Sequence, residues 1–115
     1  LLKNVRVWQL RPDVDIRMKF ISYDELCRNF GPPDGSYYET VYDGAVDTND
    51  LEALYLKFRD QNPPGFTGYP MSISDMIELY DSQESAFYYV DRRGFRPVEF
   101  SQPEQELSHT HTMQL

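Results

Sequence analysis

The sequence predicts an α+β domain in which two helices pack on a mostly antiparallel sheet of about six strands, in the order β-β-α-β-α-β-β-β. Three observations carry this expectation. Two stretches place apolar residues at i, i+3, i+4 and i+7 behind a capping residue, the pattern of a one-sided helix. Short β-branched and aromatic runs bounded by turn residues lie around them. The segment from Phe66 to Phe100 reads as a loop followed by a three-stranded meander.

Val5-Arg6-Val7-Trp8-Gln9-Leu10 is short, β-branched and aromatic, and predicts the first strand. Arg11-Pro12-Asp13-Val14-Asp15 is turn chemistry. Ile16-Arg17-Met18-Lys19-Phe20 alternates apolar and polar, so a second strand in a hairpin with the first is expected. Ser22-Tyr23-Asp24-Glu25 is a capping box, in which the Ser22 hydroxyl accepts the N–H of Glu25 and the Glu25 side chain reaches back. Behind it Tyr23, Leu26, Cys27 and Phe30 form one helix face, which points Cys27 inward, and Gly31 with Pro32-Pro33 stops the helix.

Tyr37 to Tyr42 predicts the third strand, ended by Asp43-Gly44. Asn49-Asp50-Leu51-Glu52 repeats the capping logic for a second helix with Leu51, Leu54, Tyr55 and Phe58 on one face. Its basic Lys57 and Arg59 suit the negative end of the helix dipole. Residues 63–70 form a loop pinned by Phe66 and Tyr69. Residues 76–80 and 86–90 carry apolar groups on both pleat faces, as strands covered on both sides do. Gly94 fits a left-handed turn position, and Pro97 makes the last strand an edge.

The 115 residues make one domain over residues 1–100, followed by a polar, disordered tail over 101–115. Acidic residues number 19 against 11 basic ones, a formal charge of −8. Binding to a phosphate backbone or an anionic membrane needs clustered positive charge, so direct nucleic-acid binding is not expected. One cysteine cannot form an internal disulfide, no apolar run approaches the ~20 residues of a membrane span, and a cytoplasmic protein is expected. The amino end, Leu1 to Val5, does not read as a signal peptide and lacks a starting Met, as a trimmed chain would.

Three blocks resemble the YodL-like domain family: the helix from Asn49 through Phe58, the segment Phe66-Thr67-Gly68-Tyr69-Pro70-Met71-Ser72-Ile73-Ser74-Asp75-Met76-Ile77, and Tyr88-Tyr89-Val90-Asp91 leading to Gly94-Phe95. The resemblance spans most of residues 5 to 100. The chain departs from similar members at Tyr69-Pro70, where a histidine is expected, and at Arg92-Arg93, where smaller or apolar residues are commoner. The resemblance implies a small bacterial domain of Firmicutes and their mobile elements, without assigned catalytic residues, that acts by binding.

No catalytic group, metal site or cofactor is expected from the residues themselves. His109 and His111, the two histidines, lie in the polar tail without cysteine or carboxylate partners. The acidic pairs Asp13/Asp15, Asp24/Glu25 and Asp47/Asp50 sit at turns and helix starts, where acids cap backbone groups. Asp75 is read in the same way, as a residue that turns the chain into a strand.

Arg92, Arg93 and Arg96 with Phe95 and Tyr89 form the one basic-aromatic patch, and together with Tyr69 they are the expected partner-binding residues. The function expected is a non-enzymatic interaction module with an unidentified protein partner. The alternative is an acidic nucleic-acid mimic that inhibits a restriction or CRISPR-type defence enzyme.

Overall fold

The computed structural model describes residues 1–100, so the expected tail at 101–115 lies outside the described residues. The fold is α+β. The sheet has five strands rather than six, all antiparallel: β1 (Asn4–Leu10), β2 (Tyr38–Gly44), β3 (Met76–Tyr80), β4 (Ser85–Val90) and β5 (Phe95–Val98). Their spatial order is β2-β1-β3-β4-β5. Helix α1 (Tyr23–Phe30) falls between β1 and β2 in the chain, and α2 (Leu51–Asp60) between β2 and β3.

The missing strand is the expected run from Ile16 to Phe20. Ile16–Met18 is a short 3-10 helix, and its N-cap Asp15 accepts the Arg17 N–H at 2.9 Å. Alternation in so short a run does not create a sheet partner, and none is open. β1 is paired along one edge by β2 and along the other by β3. Only Met18 of the run is buried, while Ile16 is 74% exposed. Local aspartate-to-backbone bonding therefore wins over the period-two pattern.

Alternation in the real strands sorts side chains to two faces. Val5, Val7, Ile77 and Val90 pack with Leu54 and Phe58 of α2. Trp8, Leu10, Met76, Phe87 and Tyr89 pack with Leu26 of α1 on the other face. Consecutive residues such as Met76 and Ile77 are thus both fully buried, as the expectation of doubly covered strands requires. β2 carries one irregularity: Val7 opposes Tyr42 while Trp8 opposes Thr40, which leaves Val41 as an extra residue. Its carbonyl accepts the Thr67 N–H at 2.9 Å and so ties the long loop after α2 to the sheet.

The helix ends follow the sequence with two shifts. Ser22 accepts the Glu25 N–H at 3.1 Å, but the Glu25 carboxylate faces Arg92 instead of reaching back. Asp50, not Asn49, caps α2 by accepting the Ala53 N–H. Asn49 is already committed, since its amide bonds both the N–H and the carbonyl of Lys3 beside β1. Gly31 ends α1 at φ +94, in a region open to glycine, and Cys27 is half-buried. At the far edge, Asp91 N–H donates to the Gly94 carbonyl. The alternation of antiparallel bonds then turns the Pro97 nitrogen outward, where no donor is needed.

The ring of Phe58 lies 4.8 Å from Tyr42 and 5.2 Å from Phe66, between α2, β2 and the loop. Phe58→Ala is expected to lower the unfolding free energy by about 3–5 kcal/mol. Leu56→Ala, on the exposed side of the same helix, should change it by less than about 0.5 kcal/mol. Equilibrium urea unfolding of both variants beside the parent checks the pair.

Candidate functional site

The antiparallel registers bring the end of β1, the start of β2, the start of β3, the end of β4 and the start of β5 to one end of the sheet. At this end two polar side chains with no exposure meet. Gln9 continues the α2-facing side of β1 after Val5 and Val7, and Asp75 stands just before β3. Gln9 Nε2 donates to Asp75 Oδ2 at 3.0 Å and to the Tyr69 carbonyl at 2.8 Å, while Gln9 Oε1 accepts the Tyr69 N–H at 3.2 Å. Asp75 Oδ2 also accepts the Ser72 N–H at 2.9 Å. One glutamine amide therefore bonds the Tyr69 backbone as a strand would, and fastens the 69–75 segment to β1.

This clamp needs an empty space at Gly68. A Cβ there would stand 2.1 Å from Gln9 Oε1 and 3.1 Å from the Val41 side chain. Gly68 is thus required by close approach rather than by backbone conformation.

Burial raises the Asp75 carboxyl to about 7, against the smaller opposing effects of the Ser72 and Gln9 bonds and of Lys19. Burial likewise raises Tyr38, whose hydroxyl donates to the Ser74 carbonyl at 2.8 Å. Ser74 and Phe20 both hold positive φ, +86 and +64, and the Phe20 N–H donates to Ser74 Oγ. Positive φ in a bulky aromatic residue is strained and persists only where the surroundings impose it. Beside these residues lies a cleft of about 350 Å³ lined by Gln9, Pro12, Lys19, Glu39, Gly68 and Tyr69, among others.

Of the expected partner-binding residues, the structure leaves some free and uses others internally. Tyr69 is 38% exposed. Tyr89 is corrected: it faces α1, is fully buried, and donates its hydroxyl to the Ile21 carbonyl at 2.8 Å, so it belongs to the core. Arg96 bonds Asp24 at 3.2 Å and stacks 4.6 Å above the Tyr23 ring. Arg92 faces Glu25 at 4.0 Å. Arg93 has no ion pair among the described residues. Phe95 is half-buried and meets Tyr55 edge-on at 6.3 Å, next to a cleft of about 230 Å³ that Glu52, Ile73 and Arg92 help to line.

Asp91 in the same hairpin accepts the Tyr23 N–H at 3.1 Å and thereby caps α1 from across the molecule. Part of the basic patch thus neutralises the acidic start of α1.

Sequence reasoning missed Gln9 and Phe20. A polar residue on the core side of a strand was the available signal for Gln9, because such a group needs a buried partner. A second buried acid, Glu78, also escaped notice. It accepts from Arg6 Nη1 at 2.9 Å, Trp8 Nε1 at 3.1 Å and Ser85 Oγ at 2.8 Å, which satisfies both of its oxygens. Among the described residues no group of three His, Cys, Asp or Glu side chains is arranged to hold a metal ion, and no helix is long and apolar enough to cross a membrane.

The sequence profile of the YodL-like domain matches residues 4–100. No curated protein and no solved structure gave a significant match.

Gly68→Ala should destabilise the fold by about 1–3 kcal/mol, because the Gln9 amide has to move and strain its contacts. Thermal and urea unfolding measure it. The Asp75 carboxyl binds its proton more tightly folded than unfolded, so its contribution to stability is fully present below the ordinary value of 3.8 and is lost as pH rises through about 7. The loss amounts to roughly 4 kcal/mol. Asp75→Asn keeps an acceptor for Gln9 and Ser72, so its unfolding free energy should lack this decline when followed from acid to mildly alkaline pH.

Proposed function

The chain belongs to the YodL-like domain family, and we propose that it works by binding another protein, through the end of the sheet just described, and not by catalysis. The observation that carries this reading is where the large apolar groups are exposed. Of the seven large apolar groups exposed among the described residues, Ile16, Phe20 (55% exposed), Tyr37 and Tyr69 belong to connections at this one end, while Leu1 and Leu2 precede β1 and Leu56 lies on α2. Large exposed aromatic and aliphatic groups gathered in one region mark interaction surfaces in water-facing domains. The strained backbone of Phe20 supports the same reading, since it holds an apolar ring outward that an unstrained chain would be free to fold away.

The β4–β5 hairpin extends this surface. Arg93 at its tip supplies a cation not engaged within the described domain, and Phe95 supplies a half-buried ring beside a cleft. The Arg93 guanidinium suits a carboxylate-bearing protein surface, and the Phe95 ring adds apolar contact. The setting we infer is a bacterial cytoplasm, with a host protein or one encoded by the same mobile element as partner.

Asp75 does not favour an enzyme. It has no exposure and does not line the adjoining cleft. Its hydrogen-bonding oxygen is occupied by Gln9 and Ser72, so the carboxyl has no path to a substrate in this arrangement.

A second reading is favoured by the charge alone. Lys3, Arg6, Arg17, Arg59, Arg92 and Arg96 are already engaged by acids, and acidic residues exceed basic ones by eight over the whole sequence. An acidic inhibitor that occupies the nucleic-acid channel of a defence enzyme would use such an excess. Its binding would weaken steeply with salt, whereas an apolar contact through Phe20 and Tyr69 would not.

The test is affinity purification with the immobilised domain, followed by calorimetry on the partner identified. The comparison is with a Phe20→Asn, Tyr69→Ser double variant, in which asparagine tolerates the left-handed backbone at position 20. Affinity at least ~10-fold lower in the variant, with unchanged circular dichroism, is expected. Equal affinity of parent and variant, or no reproducible partner, would refute the proposed surface.

A further inference from the structure

Two acids are buried in this domain, and they are provided for differently. Glu78 has donors on both oxygens and an ion pair with Arg6 at 2.9 Å. Asp75 has both of its donors on Oδ2, while Oδ1 is buried with no partner, and no described cation forms an ion pair with it. A carboxylate spreads its charge over two oxygens and requires donors at both. A neutral carboxyl uses Oδ2 as its carbonyl oxygen and leaves one hydroxyl at Oδ1 without an acceptor. An ionised carboxylate would instead leave a charged oxygen buried without a donor or a counter-ion, which costs more, so the closed structure favours the proton-bearing form.

We propose that Asp75 is a proton-operated latch: its neutral carboxyl, through Gln9 and Ser72, holds residues 69–73 against β1, and loss of the proton to solvent releases this segment together with the Tyr69 wall of the cleft. The segment is suited to such release. Ser74 N–H donates to the Val90 carbonyl and Val90 N–H to the Asp75 carbonyl, so the end next to β3 is held by the sheet. Upstream of Ser74, the polar ties are the two Gln9 bonds to Tyr69, the Ser72 N–H to Asp75, the Asp75 N–H to the Ser72 carbonyl at 3.2 Å, and one bond from Met71 N–H to the Phe58 carbonyl at 3.2 Å, and the Met71 side chain is buried in the α2-facing core. Ser74, at φ +86, stands at the junction of the held and releasable parts.

The groups facing Asp75 do not compensate a negative charge. β2 presents Tyr38, the segment itself presents Tyr69 with Glu39 behind it, and β4 presents Tyr89 with Asp91 behind it. Phenols at neutral pH are uncharged, and the two acids bring no positive charge. Lys19, on the turn that carries Phe20, is the one cation that acts on Asp75, and it forms no ion pair with it. Ionised, the group gains by reaching water, and the bonds that would have to open are those of residues 69–73. This latch does not depend on the binding function proposed above, since it concerns the segment itself.

Amide hydrogen exchange of the whole chain, corrected for intrinsic exchange rates, tests it between about pH 6 and about pH 8, where the latch should change state. Protection of the Tyr69, Met71 and Ser72 amides is expected to fall at least ~10-fold more than that of amides in β1 and β3, and to stay constant in Asp75→Asn. Equal loss in parent and variant, or no excess loss in the parent, would overturn the proposal. Should the variant fail to fold, carbon-detected NMR of the parent carboxyl decides. A midpoint near neutrality that coincides with the loss of protection upholds the latch, and ionisation in the ordinary carboxyl range near 4 eliminates it.

Discussion

Strand β1 is paired on both edges and covered on both faces, and the domain is organised by that burial. Its apolar residues supply the centre of two cores. Its polar ones, Arg6 and Gln9, are carried inward with them and meet partners on the β3 side: Glu78 for Arg6, Asp75 for Gln9. A polar group without a partner in such surroundings costs several kilocalories, so these contacts specify register. Sliding β1 by one residue against β3 would turn Arg6 and Gln9 to the wrong faces and leave two buried acids without donors.

The two acids divide the sheet into ends of different character. The Glu78 end is closed electrostatically, with Arg6 bridging Glu78 and Asp43 and stacking 4.1 Å above the Tyr80 ring. The Asp75 end is not. There the carboxyl lacks a counter-charge, two residues hold left-handed backbone, and aromatic and aliphatic groups face water. On the binding reading proposed above, this end is the working surface and the Glu78 end holds the shape.

Residues that carry the family resemblance acquire definite structural roles. Gly68 leaves room for the Gln9 amide, Asp75 turns Ser72 and fixes the entry to β3, Asp91 caps α1, and Gly94, at φ +75, closes the last hairpin. Arg92 and Arg96 answer the acids at the start of α1. The patch first marked by its composition is therefore partly internal bonding. Tyr69 stays exposed, Arg93 has no ion pair among the described residues, and Phe95 is half-buried.

Both helices, their stop signals, the real strands and the edge position of Pro97 are readable along the chain, because spacing of apolar residues records which side of an element leaves water. The same spacing misleads at Ile16 to Phe20, where alternation has no strand to pair with, and it does not separate a core tyrosine such as Tyr89 from a surface one such as Tyr69. Gln9, Asp75 and Glu78 become meaningful only when residues some 70 positions apart are set side by side. Periodicity is a local property that any segment expresses alone. Partner choice among strands, and the bonding of polar groups carried inside with them, are settled by competition across the whole chain for edges and donors.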